Sequence, residues 1–424
     1  MSGKKTDFSE ICVYNSNVDG SEFVGLAHEG GLLKVCFPLG YARPRTGDTA
    51  DYRKDILNLI SVLSEFPERR DSFIQDNKQQ NRTNADFPIH AYLYLITDYL
   101  NHGYYAENDI VYKRAAKGKI SWKKTVRQIT PKLVDDEIVF FDFITRNVRH
   151  DETQLITQIH RYCVHESFEK IGFLFSDYMP QKPSIQFNAR LFTSVLQTRL
   201  SRTFNERQQL LFSNMLDIIR FLDNSKDSRT FYYGTENFAY VWERLVDTVY
   251  GIKDKEKFYP HCWWNSSCSD AAIMKYALRP DTIMITDRGN HEKQKIFVLD
   301  SKYYKYGESS NFGDLPASES IIKQIAYAQF IDKKEQEREA GFEVQSQRIY
   351  NAFILPFGAE NSGTLKYLGY ATSDYVGLLD GGEKEYHRIH GILLDIKSLM
   401  YAHGGTDNAA IKALAEIIER GMGE

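Results

Sequence analysis

Arg279-Pro280-Asp281, a short hairpin-like interval, then Phe297-Val298-Leu299-Asp300-Ser301-Lys302: this segment brings two carboxylates and one amine within reach of each other. Leu278 to Thr286 is apolar and β-branched enough to predict a strand, and Ile296 to Tyr303 predicts a second. Between them Asp287 to Gln294 is polar, with Gly289 and Asn290 as turn formers, so the pair reads as an antiparallel hairpin. Residues two apart on a strand project to one face, which sets Asp300 beside Lys302 and lets Asp281 lie across from them. Mg²⁺ is a hard cation that takes oxygen ligands, keeps several waters and is commonly held by one or two carboxylates plus substrate phosphate. Asp281 and Asp300 match that requirement, and the Lys302 ammonium suits positioning a water or offsetting phosphate charge. The competing reading is a strand end carrying an exposed, weakly stabilising ion pair. Against it stands the unbroken apolar run Phe297 to Leu299, which suits a strand buried on both faces, where charges are expensive unless they have a task.

The flanks extend the pattern. Phe238 to Leu245 carries apolar residues at 238, 241, 242 and 245, continuing at 246 and 249, the spacing of an amphipathic helix with Glu243 off its apolar face. Downstream, Ser318 to Tyr327 predicts a helix capped by Ser318, on which Tyr327 lies about one turn from both Lys323 and Gln324.

The Pro-Asp…Asp-x-Lys arrangement resembles the PD-(D/E)xK nuclease superfamily. That resemblance implies Asp281, Asp300 and Lys302 as the catalytic set and Glu243 as a further acidic group at the metal; a solvated Glu beside Arg244 and Asp247 is the alternative. It also implies that Lys323, Gln324 and Tyr327 belong to a helix touching DNA, the alternative being a core-facing Tyr with a surface Gln. More finely, the chain resembles the LlaJI-type restriction endonucleases, relatives of the McrC nuclease subunit. The residues carrying this are Gly118-Lys119-Ile120-Ser121-Trp122-Lys123-Lys124-Thr125-Val126, Ile159-His160-Arg161-Tyr162, and Gly313-Asp314-Leu315-Pro316 followed by Lys323-Gln324. The likeness runs over roughly residues 90 to 400 and is less clear before them.

What the resemblance implies is a metal-dependent endodeoxyribonuclease subunit of a restriction system, using Mg²⁺ with Mn²⁺ able to substitute, cutting double-stranded DNA beside a separate AAA+ GTPase or ATPase motor. Residues 118–125 nearly spell a nucleotide-phosphate loop. Lys123, however, stands where the second glycine belongs, and its side chain would obstruct the backbone approach to phosphate. The motor would therefore be another chain. A self-sufficient type II restriction or repair endonuclease is the alternative, and a non-catalytic DNA-binding adaptor a second.

At 424 residues the chain exceeds one ordinary core, and 42% hydrophobic content with 13% aromatics argues against global disorder. Net charge is -4, so phosphate binding must come from local clusters. One cluster lies between Lys113 and Lys132 and includes Lys123 and Lys124 around Trp122; another, with Arg199 and Arg202, lies in the helical pattern Asn188 to Asp223. Solvated basic surface is the alternative for both. Five scattered cysteines fit a reducing compartment, and His261-Cys262 with Cys268 matches no recurrent zinc spacing. No stretch reaches the ~20 apolar residues of a membrane span, so a cytoplasmic protein is expected.

The expected fold class is α/β: a PD-(D/E)xK core with a mixed sheet flanked by helices in 226–424, preceded by a mainly helical DNA- or partner-binding region in 91–225. Residues 1–90 read as a small β-containing module, with a linker at Asp76 to Asn84.

Overall fold

The computed structural model describes residues 7–14, 23–44, 47–66, 87–115, 117–134, 137–151, 154–224, 230–266, 269–274, 277–290, 293–339, 348–359, 363–378 and 384–421. The expected linker Asp76 to Asn84 and Cys268 lie outside them. The chain forms two units: the described residues of Asp86–Ser228 make one, and those of Asp7–Ala85 and Arg229–Glu424 the other. This spatial grouping differs from a division along the chain, because residues 7–66 join the C-terminal unit.

That unit is built on a five-stranded mixed sheet in the order Thr282–Thr286, Lys295–Ser301, Arg348–Phe357, Ile389–Asp395, Leu365–Ala371. The first and last pairings are antiparallel and the two central ones parallel. Parallel neighbours need both faces covered, and the strand Lys295–Ser301 is accordingly buried from Ile296 to Ser301. On one face Ile283, Ile296, Val298 and Ile349 pack against Tyr327, Ala328 and Ile331 of the helix Ser318–Glu339. The helix Phe238–Tyr250 buries its apolar stripe, Trp242 included, and packs on the first two strands and on the helices Ile396–Tyr401 and Asn408–Arg420.

The N-terminal residues add a four-stranded sheet ordered Cys12–Tyr14, Leu32–Phe37, Val24–Glu29, Phe231–Thr235. Gly25 faces Gly234 across the last pairing, and a Cβ on Gly25 would come 2.1 Å from the Tyr233 carbonyl. Two side-chain-free residues thus allow the close approach that joins the start of the chain to its second half. The helix Thr49–Glu65 is fastened as well: buried Asp55 accepts from Lys397 Nζ at 2.5 Å and Tyr401 Oη at 2.7 Å.

The other unit holds the helices Ile89–His102, Leu155–Ile171, Ala189–Leu200 and Glu206–Asn224, together with a three-stranded sheet, Glu107–Ala115, Phe143–Asp151, Lys119–Ile120, and a hairpin Lys132–Val134 with Glu137–Val139. The mainly helical expectation for 91–225 overlooked these strands. The pattern Asn188 to Asp223, read as one helical stretch, breaks at residues 201–205, where Asn205 Oδ1 accepts from Gln208 N. Elsewhere the strand expected from Leu278 begins only at Thr282, since Pro280 has no N–H for a ladder. Ser318 sits in the first turn rather than at the cap, because Ile321 N bonds back to the Ala317 carbonyl.

His160 is buried in the first unit, and its Nδ1 accepts the Tyr105 N–H at 2.9 Å. Burial, with a smaller push from Arg207 that opposes Asp98, lowers its pKa to about 4, below the ordinary 6.5. The unfolded chain then binds the extra proton between those values, so stability falls as pH drops from 6.5 toward 4, by about 1.4 kcal/mol per pH unit. His160→Gln keeps an acceptor for Tyr105 and should flatten that part of the profile. Thermal melts at pH 7.5, 5.5 and 4.5 on both proteins check it; parallel profiles would discount His160.

Candidate active site

The end of the strand Lys295–Ser301 brings three expected residues together. Register pairs Thr282 with Leu299 and Ile283 with Val298, so Asp281, one residue before its strand, falls opposite Asp300 and on the same face. Ser301 N donates to Asp281 Oδ2 at 2.9 Å, anchoring that carboxylate between Asp300 and Lys302. Lys302 Nζ stands 2.7 Å from Asp300 Oδ2, with their side chains 18% and 5% exposed, so the pair is no surface ion pair. The Lys302 backbone is fixed too: its N–H donates to the Ile354 carbonyl on the next strand at 2.9 Å, an oxygen that also accepts from Trp242 Nε1.

The electrostatics are those of crowded acids. Burial first, then Asp300 and Glu243, push Asp281 up to about 7, against the opposing pull of the Ser301 N–H and Lys302. Glu243 is also raised, by burial and then by Asp300, with Lys302, Lys323 and Lys255 opposing. Burial alone would lower the Lys302 ammonium, but the charge and hydrogen bond of Asp300, with Asp281, more than offset it and the net shift is upward. Lys302 therefore stays cationic while one neighbouring carboxyl is reluctant to ionise.

Hard oxygen donors under mutual repulsion are a donor set suited to Mg²⁺, which one or two protein carboxylates suffice to hold. Among the described residues, no three His, Cys, Asp or Glu side chains are arranged to hold a metal ion. The fit is thus to Asp281 and Asp300, with Glu243 joined to them by charge.

The helix Ser318–Glu339 braces the site from beneath. Buried Gln324 donates Nε2 to the Val298 carbonyl at 2.7 Å, and buried Tyr327 donates Oη to the Arg279 carbonyl at 3.3 Å. Both hold hairpin backbone. Buried so, neither stands open to a duplex, whereas Lys323 is exposed with its amine 5.5 Å from the Tyr327 ring. Lys123, Lys124, Arg199 and Arg202 lie in the other unit; Arg199 pairs with Glu107 at 3.0 Å and Lys124 lies over the Tyr112 ring.

Sequence reasoning missed two contributors. Lys255 Nζ donates to the Asp281 carbonyl and stands 2.7 Å from Asp247 Oδ1, tying the start of one strand to the helix that bears Glu243. Tyr303 Oη accepts the Leu39 N–H at 2.7 Å, so the N-terminal residues buttress the loop that follows Lys302. Neither has a local sequence signal, since each acts through a partner remote in the chain.

Comparison with known proteins agrees with the resemblance. The type II restriction enzyme BsuMI component YdjA of Bacillus subtilis (strain 168) is 26% identical over 287 residues, 65% of this chain and 59% of that protein. The match therefore spans under two thirds of that relative's length. A chain of the refined half-complex from the tetradecameric assembly of Thermococcus gammatolerans McrB AAA+ hexamers with bound McrC aligns with TM-score 0.35 and 13% identity, over 94% of this chain and 83% of that one. The family described as LlaJI restriction endonuclease matches residues 23–397, nearly the whole chain and the whole of the site just described, and the protein belongs to that family.

Proposed function

We propose that this chain is a Mg²⁺-dependent DNA endonuclease subunit of a restriction system, hydrolysing phosphodiester bonds from a PD-(D/E)xK core. The observation that carries the reading is the buried Lys302–Asp300 pair, 2.7 Å apart, beside an Asp281 crowded by like charge. Asp281 and Asp300 would hold the ion. Bound there, Mg²⁺ acidifies water and neutralises phosphate charge. Lys302, held cationic by Asp300, orients the attacking water or offsets charge on the phosphate. Glu243 adds a half-buried acidic group whose pKa burial and the Asp300 charge raise above the ordinary carboxylate range, so it accepts a proton more readily than a solvated Glu. Lys255 keeps the Asp281 backbone in place, and Gln324 and Tyr327 hold the hairpin rigid.

The name of the relative, a component of a type II restriction enzyme, supports work in an assembly. The sequence resemblance to McrC-type subunits points to a separate AAA+ NTPase as the partner. The test is cleavage of duplex DNA by the purified chain, with and without an NTPase encoded beside it, in Mg²⁺, Mn²⁺ or EDTA. Cutting that needs both metal and partner is the expected result. Cutting with metal alone would favour a self-sufficient enzyme, and metal-independent cutting would remove the mechanism. Asp300→Ala should lower cleavage at least a hundredfold, in the range for losing one electrostatic stabiliser, about 10²–10³.

A further inference from the structure

The strand-rich part of the first unit bears an exposed basic and aromatic face that the nuclease reading does not use. Between residues 112 and 132 the sequence has eight lysines and arginines and no acid, in a chain whose net charge is -4. The sheet arranges some of them. Tyr112 pairs with Arg146, and Arg146 with Lys119; residues directly opposite across strands share a face, so these three form one row, and all are exposed. Lys124 places its amine 3.4 Å from the Tyr112 ring centroid. Beside the row, Trp122 is 56% exposed although its ring is held edge-on against Phe140 and Phe143 at 6.3 and 5.7 Å. The ring is fixed on one side and open to solvent on the other.

Cations in a row call for a polyanion, and a rigid open indole among them calls for a flat partner. Duplex bases are stacked on one another and offer no free face, whereas unpaired bases do, and their stacking on aromatic rings beside a basic track is the usual way single strands are held. We propose that this face binds a nucleic-acid strand with unpaired bases, its phosphates along Lys119, Arg146 and Lys123 and a base on Trp122. The proposal is independent of the cleavage chemistry.

Fluorescence anisotropy of labelled oligothymidylate and of a matched duplex, on the full chain in EDTA over a salt series, tests it. A variant with Lys119, Lys123 and Arg146 changed to Glu should bind oligothymidylate at least tenfold more weakly, with a salt slope lower by about 2, at about 0.7 for each phosphate no longer neutralised. Trp122→Ala should weaken the single strand at least fivefold and leave the duplex unchanged. Trp122→Leu, which keeps an apolar contact with Phe140 and Phe143, should do the same, and melting curves matching the parent protein exclude misfolding. Unchanged oligothymidylate binding by the charge variant would overturn the proposal. So would a charge variant that keeps nucleic-acid affinity but no longer co-elutes with the NTPase, since the face would then dock protein.

Discussion

Lys302→Ala should cut DNA at least a hundredfold more slowly while still binding it. Lys302 is the ammonium at the face shared by Asp281 and Asp300, and removing one preorganised electrostatic stabiliser lowers rates by about 10²–10³. The variant leaves Asp300, 5% exposed on its side chain, without the amine that stands 2.7 Å away. A buried charge deprived of its partner destabilises by about 3–5 kcal/mol, so the metal-free variant should also melt earlier. Mg²⁺ should then raise its melting temperature more than that of the parent, because the carboxylates have lost a competing cation. Lys302→Arg keeps charge but not the compact amine, and should restore stability more than rate. Rapid-quench cleavage, binding by anisotropy and melting with and without Mg²⁺ separate these effects. Cleavage by Lys302→Ala at the parental rate would sink the assignment.

The hairpin was legible because its signals are local: β-branched runs, turn formers, and charges two residues apart. The strands Thr282–Thr286 and Lys295–Ser301 fall where the sequence puts them, within a few residues. The strand Ile389–Asp395 does not announce itself, although it pairs with Arg348–Phe357 in the middle of the sheet. His390 and Gly391 interrupt its apolar run, and a strand buried on both faces shows no alternation to detect. Phe231–Thr235 was missed for another reason. Its partner is Val24–Glu29, some two hundred residues earlier, and what permits the pairing is the glycine pair Gly25 and Gly234. Only the fold reveals residues 7–66 as part of the unit that carries the site.

The site divides in the same way. That Asp281, Asp300 and Lys302 lie close together could be read from spacing, whereas periodicity set Glu243 only off the apolar face of its helix and its candidacy came from family resemblance. Gln324 and Tyr327 were placed on the right helix, yet as DNA contacts; their buried donors instead satisfy hairpin carbonyls. A one-turn spacing on a helix fixes which residues are neighbours, and whether that face meets core or solvent depends on the sheet beneath it. Lys255 shows the limit most clearly, since it reaches Asp281 through a backbone carbonyl that no side-chain pattern encodes.

Asp281→Asn should abolish cleavage and yet make the metal-free protein more stable. Burial, Asp300 and Glu243 hold the Asp281 pKa at about 7, above the ordinary 3.8. An acid whose folded pKa is raised binds more protons folded than unfolded. Its contribution is therefore favourable only at low pH, and stability declines as pH rises from about 4 through 7. At pH 8 the ionised carboxylate opposes folding, and its neutral isostere does not. The Asn Oδ1 can still accept the Ser301 N–H that now bonds Asp281 Oδ2 at 2.9 Å, so the anchoring survives. A rise of a few kcal/mol at pH 8 is the upper range, since one pKa unit corresponds to about 1.4 kcal/mol. Three readings follow from melting in EDTA and in Mg²⁺: a higher melting temperature than the parent at pH 8 in EDTA, a difference that shrinks toward pH 4, and little further gain on adding Mg²⁺. The parent should gain stability with Mg²⁺, because the ion relieves the repulsion that the substitution removes. A variant less stable than the parent at pH 8 in EDTA would show that Asp281 is not under electrostatic strain, and the case for a metal held there would lose its physical basis.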